Sequence, residues 1–296
     1  MKKILKIFSA LIALLVIVIV IFVATYKPRQ YTDYTMYSEL FNWTAAQYEQ
    51  LLQPRAINEF FTDFAQPLGF PFSKLFGGTD LGVQLKSYEN TQLAAATVSL
   101  FEVPPGSGYH NTVTLNLLPR SGVRAPVMHV DFLKPSAGVP GMFILDFFNV
   151  DKDAISYEEF FGEDIAVIRE AMAKVAQYQR TEEQGRGKIS RYLDPFKSPY
   201  RLELNEPAAD DEAARQAYYA AALDAVKMVL PVYLKRISQL PLDEGFAKAH
   251  EEATHHLVRE LHEKDFAVKM GRNIFKDNFY TYWQDGFWHV DIDFAK

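Results

Sequence analysis

Between Leu93 and Val150 the chain alternates short apolar runs with turn formers. Leu93–Val103, Thr112–Leu118, Val127–Leu133 and Met142–Val150 are separated by Gly, Pro and Ser. Runs of this length bounded by such residues predict β-strands. Connections this short suit antiparallel neighbours, because a parallel pair needs a longer crossover. A meandering sheet is therefore expected in the middle of the chain.

On either side the apolar period becomes helical. Thr44–Leu52 and Ala56–Phe64 precede the strands, and Phe60, Phe61 and Phe64 fall on one side, which marks core rather than a cofactor box. After the strands come Tyr157–Gln179, with Glu158, Glu159, Glu163 and Asp164 where acids complement a helix N-terminus, then Ala208–Ile237, interrupted at Pro231, and Asp243–Gly271. Irregular stretches are expected from Pro67 to Gly82, at the polar run Arg180–Lys188, and at Asp194-Pro-Phe-Lys-Ser-Pro199. Tyr280, Tyr282, Trp283, Phe287 and Trp288 close the chain with aromatic anchors, and no internal repeat is visible.

From Ile7 to Ala24 the sequence is almost unbroken Ile, Leu, Val, Phe and Ala, preceded by Lys2, Lys3 and Lys6 and closed by Tyr26, Lys27, Pro28 and Arg29. A run of that length can cross the hydrocarbon core as a helix with Tyr26 at the interface. The chain thus divides into a transmembrane anchor, 1–29, and a domain, 30–296. A cleavable signal peptide is the rival reading, but the run is longer than a usual signal core and Val23-Ala24-Thr25 is a poor cleavage site. The basic residues favour a cytoplasmic N-terminus by a small margin and leave the side of the domain open.

The 296 residues, 49% hydrophobic and 14% aromatic, are enough for one large core. A net charge of −6 argues against a nucleic-acid partner, which would need clustered Lys and Arg. With no cysteine, disulfides, thiolate nucleophiles and iron–sulfur ligation by this chain are excluded. His250-Glu-Glu-Ala-Thr-His255 spaces its histidines by five, so a helix does not bring them to one metal, and no metal site is expected. Gly106-Ser107-Gly108 lacks the flanks of a nucleophile elbow, and there is no phosphate loop or dinucleotide fingerprint.

Two carboxylates stand out. Glu102 follows the apolar pair Leu100-Phe101, and Asp131 sits inside Val127–Leu133. Apolar neighbours favour the neutral acid, so a raised pKa is expected, as a proton donor near neutral pH requires. The alternative is a solvent-facing or ion-paired carboxylate, the commoner state of acids on strands.

Glu102, Asp131, the Asp194–Pro199 run and Lys264-Asp265 together resemble the ferredoxin-dependent bilin reductases and their plant relative, red chlorophyll catabolite reductase. The spacing from Glu102 to Pro119, and on through Pro126-Val-Met-His-Val-Asp131, is similar to that of the family's strand pair, with Glu102 on its glutamate and Asp131 on its central aspartate. Thr114 stands at the position of the family histidine, which only some members use. The Asp-Pro-Phe-Lys-Ser-Pro run is similar to an Asn-Pro-Tyr-x-Ser-Pro stretch of the chlorophyll-catabolite enzyme. Asp265 lies about where both branches carry a helical Asp or Asn, ahead of Phe275-Lys276 in place of their Phe-Gly. The resemblance covers roughly Leu93 to Trp283.

It implies an α+β fold, an α/β/α three-layer sandwich with a central antiparallel sheet flanked by helices, here with one N-terminal transmembrane helix added. It also implies reduction of a linear tetrapyrrole, with no tightly bound cofactor, electrons from ferredoxin or another one-electron donor, and protons from acidic residues. Asp131 would be the principal donor, Asp265 a second from the opposite face, and Glu102 an anchor or relay at the edge. Thr114 would face the substrate, and its propionates would call on Arg120, Arg124 or Lys134, with Arg186 more distant. Alternatives are a tetrapyrrole- or lipid-binding protein without turnover and an accessory subunit of a membrane complex.

Overall fold

The structure, a computed structural model, describes residues 8, 12, 14–18, 35–55, 82–102, 111–134, 140–180, 191–207, 211–275 and 279–294. In chain order its elements are α1 (Thr35–Leu51), β1 (Gln53–Pro54), β2 (Gly82–Glu89), β3 (Leu93–Glu102), β4 (Asn111–Pro119), β5 (Val127–Lys134), β6 (Met142–Phe148), α2 (Tyr157–Phe161), α3 (Ile165–Val175), β7 (Leu202–Asn205), α4 (Glu212–Ile237), α5 (Glu244–Lys264) and α6 (Phe266–Phe275). A π-helical turn, Thr281–Trp288, follows.

The seven strands form one sheet in the order of the sequence, each antiparallel to its chain neighbour. The expected meander is present as β3 to β6. β2 and β7 extend it beyond the reach of the apolar pattern, since β2 begins within the stretch read as irregular and β7 holds only Leu-Glu-Leu-Asn. Helices α1 to α4 cover one face and α5, α6 and the π-helical turn the other, so the domain is an α/β/α sandwich.

The cover on the first face is apolar apart from a few hydroxyls, those of Thr44, Tyr48 and Tyr218 among them. Val98 and Leu100, Val113 to Leu117 at alternate positions, Val130, Phe132, Phe143, Leu145 and Phe147 meet Phe41, Phe161, Ile168, Val226, Leu230 and Tyr233 in one buried cluster. Alternation along a strand accounts for this, because every second side chain points the same way.

Four helices differ from the sequence reading, the first being α1, which begins at Thr35 rather than Thr44. Gly162, at φ +54, ends α2 and turns the chain through a 3-10 step into α3, so Tyr157–Gln179 is not one helix. α4 runs through Pro231 without interruption: Pro231 is exposed, and Leu230, Tyr233 and Leu234 beside it are buried and pin both sides of the helix to the core. Asp265, extended at φ −72 and ψ 134, divides the expected Asp243–Gly271 helix into α5 and α6.

Among the described residues one helix is long and apolar enough to cross a membrane, and it is α4, mid-chain, with half of its most apolar window buried in the fold. Its hydropathy is that of a core helix, since its own Val226, Val229 and Leu230 are buried. The expected N-terminal anchor lies largely outside the described residues, as does the predicted Ala56–Phe64 helix. Of the anchor, Phe8, Ile12 and Leu14–Val18 are helical and half or more exposed.

Candidate functional site

The second face of the same sheet follows a different rule. Alternate positions of its central strands carry Thr97 and Ser99 on β3, Thr112, Thr114 and Asn116 on β4, His129 and Asp131 on β5, and Asp146 on β6. Register aligns them in two rows. Thr97, Asn116, His129 and Asp146 face one another in sequence across four strands, and Ser99, Thr114 and Asp131 across three. Directly opposed residues of an antiparallel pair bring their Cβ atoms within about 5.5 Å, so each row is a chain of neighbours. Thr97, Ser99, Asn116 and Asp146 are fully buried. A buried row of polar side chains is costly unless its members are paired or meet a ligand.

At the open end of the rows is a charged trio. The Thr114 hydroxyl donates to Asp131 Oδ1 at 2.6 Å, and His129 Nε2 is 3.0 Å from Asp131 Oδ2. The Asp131 side chain is 23% exposed and that of His129 11%, so the pair borders solvent on an otherwise closed face. Burial alone would raise the Asp131 carboxyl. The charge and hydrogen bond of His129, the Thr114 hydroxyl and the Arg201 guanidinium outweigh burial and hold it below the usual carboxylate range. For His129 burial opposes the charged form, but Asp131 first, then Asp265 and Asp146, lift its pKa above that of an ordinary imidazole. The raised pKa expected for Asp131 is therefore corrected: a neighbouring base overrides burial, and the exchangeable proton of the pair rests on His129.

Asp146, at the inner end of the row, is compensated. Its Oδ1 accepts from Ser198 Oγ at 2.8 Å and from the amides of Ser198 and Phe147, and its Oδ2 accepts from Arg201 at 2.9 Å. Arg201 also holds Glu203 at 2.7 Å, and Glu203 holds Arg180 at 2.8 Å. The carboxylate thus fastens the Asp194–Pro199 run to the sheet, which gives that motif a structural reason.

The opposite wall comes from the C-terminal layer. Asp265, at the α5–α6 break, accepts from the Tyr192 hydroxyl at 2.5 Å; its charge acts on His129, and that of Asp131 acts on Tyr192. Burial, then the Asp265 charge, drives the Tyr192 phenol far above its ordinary pKa, so it stays protonated and keeps its hydrogen bond to Asp265. The His129 ring lies parallel to Trp288 at 6.5 Å and stacks on Phe148 at 5.4 Å. Tyr282 stacks on Phe275 at 4.3 Å and meets Phe101 edge-on at 5.7 Å. The turn bearing these rings is held by the Thr97 hydroxyl, which donates to the Phe287 carbonyl, and by the Arg55 guanidinium, which reaches the carbonyls of Asp285 and Gly286.

Of the residues singled out from the sequence, the structure brings together Asp131, Thr114 and Asp265. Arg120 and Arg124 lie elsewhere and are engaged. Arg120 pairs with Glu89 at 2.8 Å and holds the Asn90 carbonyl, while Arg124 pairs with Asp243 at 2.8 Å and covers the Phe246 ring. Glu102 closes β3 opposite Gly82, and Lys134 closes β5 opposite Asn111; their side chains, and Arg186, lie outside the described residues. Sequence reasoning missed His129, although a histidine two positions before an aspartate on a strand must share its face. Tyr192 left no such signal, being 73 residues from its partner. Among the described residues no three His, Asp or Glu side chains gather as metal ligands.

No family model matches the sequence, and no curated protein does either. Among solved structures the chain is similar to the crystal structure of selenomethionine phytochromobilin synthase from tomato in complex with biliverdin, with a TM-score of 0.56 and 15% identity over 84% of this chain and 83% of that chain. The domain has the fold of that bilin reductase, as the sequence resemblance implied.

Proposed function

We propose that this chain is a membrane-anchored reductase of an open-chain tetrapyrrole, a bilin or a chlorophyll catabolite, that holds the pigment between the polar face of the sheet and the C-terminal layer. The observation that carries this reading is the Thr114–Asp131–His129 trio, a charged, partly open cluster facing aromatic side chains within the fold of a biliverdin-binding structure.

The chemistry needs two electrons and two protons for each double bond. A ferredoxin or another one-electron donor supplies the electrons singly, and no cofactor resident on the protein is required. Each electron makes the conjugated pigment more basic, and a placed acid then traps it by proton transfer. His129 supplies the first proton, with Asp131 stabilising its charged form. Asp265, taking up a proton from solvent and held in place by the Tyr192 hydroxyl, supplies the second from the other wall, and Glu102 relays or anchors at the edge. The segment 1–29 tethers the domain to a membrane.

Thr114 supports a second reading, binding without turnover, because it stands at the position of the histidine that some members use. His129 answers this by offering an imidazole to the Asp131 carboxylate from the same strand, β5.

The test is visible-absorption titration of the full chain in detergent with biliverdin and with an open-chain chlorophyll catabolite, followed by reduced ferredoxin under anaerobic conditions. A bound-state spectrum that converts to a new product is expected. Pigment bound but unchanged by reductant would favour the second reading. No spectral change with either pigment would sink both, and a membrane protein co-purifying with the chain would then point to an accessory subunit.

A further inference from the structure

We infer that Asn116 is a recognition site for a lactam, the cyclic amide that ends a linear tetrapyrrole; the inference rests on the pigment reading above and names the part of the ligand that this point of the sheet takes. Asn116 is fully buried, yet neither its Nδ2 nor its Oδ1 has a hydrogen-bond partner. In a packed core an amide in that state is expensive, and nearly all buried polar side-chain atoms are paired. The residue stands in the inner row between Thr97 and His129. His129 Nδ1 is also buried without a partner, as is Nε1 of Trp288, whose ring lies parallel to His129.

These unused groups match one chemistry. A primary amide presents a donor and an acceptor side by side, the complement of the N–H and C=O of a lactam, so the two close a pair of parallel hydrogen bonds. Trp288 Nε1 is donor only and suits the second lone pair of the lactam oxygen. A carboxylate ligand fits less well, because it would leave Oδ1 of Asn116 facing negative charge. The π-helical turn 281–288, a kind of helical irregularity frequent at functional sites, lies over this row, with the Thr97 hydroxyl donating to its Phe287 carbonyl.

A residue kept for a ligand rather than for the fold has a diagnostic signature: removing it strengthens the empty protein and weakens binding. Asn116→Leu, of similar size and without the amide, is compared with the wild-type full chain by thermal unfolding without pigment and by biliverdin titration. The expected result is a melting temperature that rises by a few degrees and biliverdin affinity that falls about tenfold or more, since each tenfold step corresponds to only about 1.4 kcal/mol. Infrared difference spectra of bound biliverdin should show the lactam carbonyl stretch at lower frequency in the wild type than in Asn116→Leu.

Biliverdin bound equally by both proteins with the same carbonyl stretch would overturn the lactam site and leave the pigment reading standing. Failure of the wild type to bind would overturn both. A lower melting temperature for Asn116→Leu would mark Asn116 as structural and overturn the assignment. Should that variant not fold, Asn116→Thr, smaller and still polar, is expected to show the same loss of affinity and carbonyl shift, and unchanged values would count against the site.

Discussion

On β3 to β6, consecutive residues of the same strand enter two unlike environments. Val98, Leu100, Val113, Leu115, Val130, Phe132, Leu145 and Phe147 meet other apolar side chains, whereas Thr97, Ser99, Thr114, Asn116, His129, Asp131 and Asp146 face the C-terminal layer. Both faces are covered except where the Asp131–His129 pair borders solvent, so water does not explain the buried Thr97, Ser99, Asn116 and Asp146. A sheet buried on both sides is most stable when apolar on both, and every polar group placed there must be compensated or else weakens the fold. Apart from the buried hydroxyls of Thr44, Tyr48 and Tyr218, the first face can be understood from stability alone. The second carries groups that stability does not ask for, which directs the search for function to it.

The largest effect should come from the apolar face. Phe132 is buried against Phe143 at 5.1 Å, Tyr37 at 5.4 Å and Tyr218 at 6.2 Å. Phe132→Ala should lower stability by about 4 kcal/mol, read as a shift of the denaturant midpoint at constant slope. A loss below about 1 kcal/mol would show that this face can collapse around the gap and would break the contrast.

A second comparison uses two buried histidines on the polar side of the sheet. His129 has carboxylates around it, whereas His250 is stacked on Phe246 at 4.9 Å with neither ring nitrogen paired. Burial pushes the His250 pKa down to about 4, with Asp151 opposing weakly. Below about pH 6.5 the unfolded chain takes a proton there that the folded one does not, so stability should fall between about pH 6.5 and 4, by up to about 3 kcal/mol. Unfolding midpoints of wild type and His250→Leu across that range measure it. The variant should flatten the acid limb, and His262, also pushed down to about 4, should leave a residual slope of the same sign. Parallel curves for the two proteins would mean that His250 takes up a proton within the fold.

The sheet was legible because its signal is local: runs such as Thr112–Leu118 and Val127–Leu133 are bounded by turns and need no partner to be read. β7 was not, since four residues carry too little pattern. The path of α4 through Pro231 was not either, because core packing on both sides of the proline overrides its local preference. The site was legible in part. Asp131 and Thr114 could be placed from spacing, but the charge state of Asp131 depends on Arg201, 70 positions away, as well as on His129. Arg124 had looked like a propionate ligand because it is near Asp131 in sequence; in space it belongs to Asp243, which caps α5 by accepting from the amides of Gly245 and Phe246.

The smallest predicted stability effect tests the polar face most directly. The folded pKa of His129 is raised above 6.5, so its contribution to stability is full below about pH 6.5 and is lost as pH rises through the folded value. That of Asp131 is lowered below 3.8, so its contribution is full above about pH 3.8 and is lost as pH falls through the folded value. Together they define a window from about 3.8 to about 6.5 in which the ion pair is intact and worth about 1 kcal/mol, given its partial exposure. Asp131→Asn keeps the size of the side chain and a partner for Thr114 but removes the charge, and the difference between its unfolding midpoint and that of the wild type at each pH cancels the common contribution of His250. The difference should be greatest within the window and shrink as pH rises beyond 6.5, while reduction of bound biliverdin by the variant should fall about 100-fold at neutral pH. If the difference instead grew steadily towards high pH, Asp131 would be stabilised without a charged His129. The proton needed for reduction would then have to come from the Tyr192–Asp265 wall.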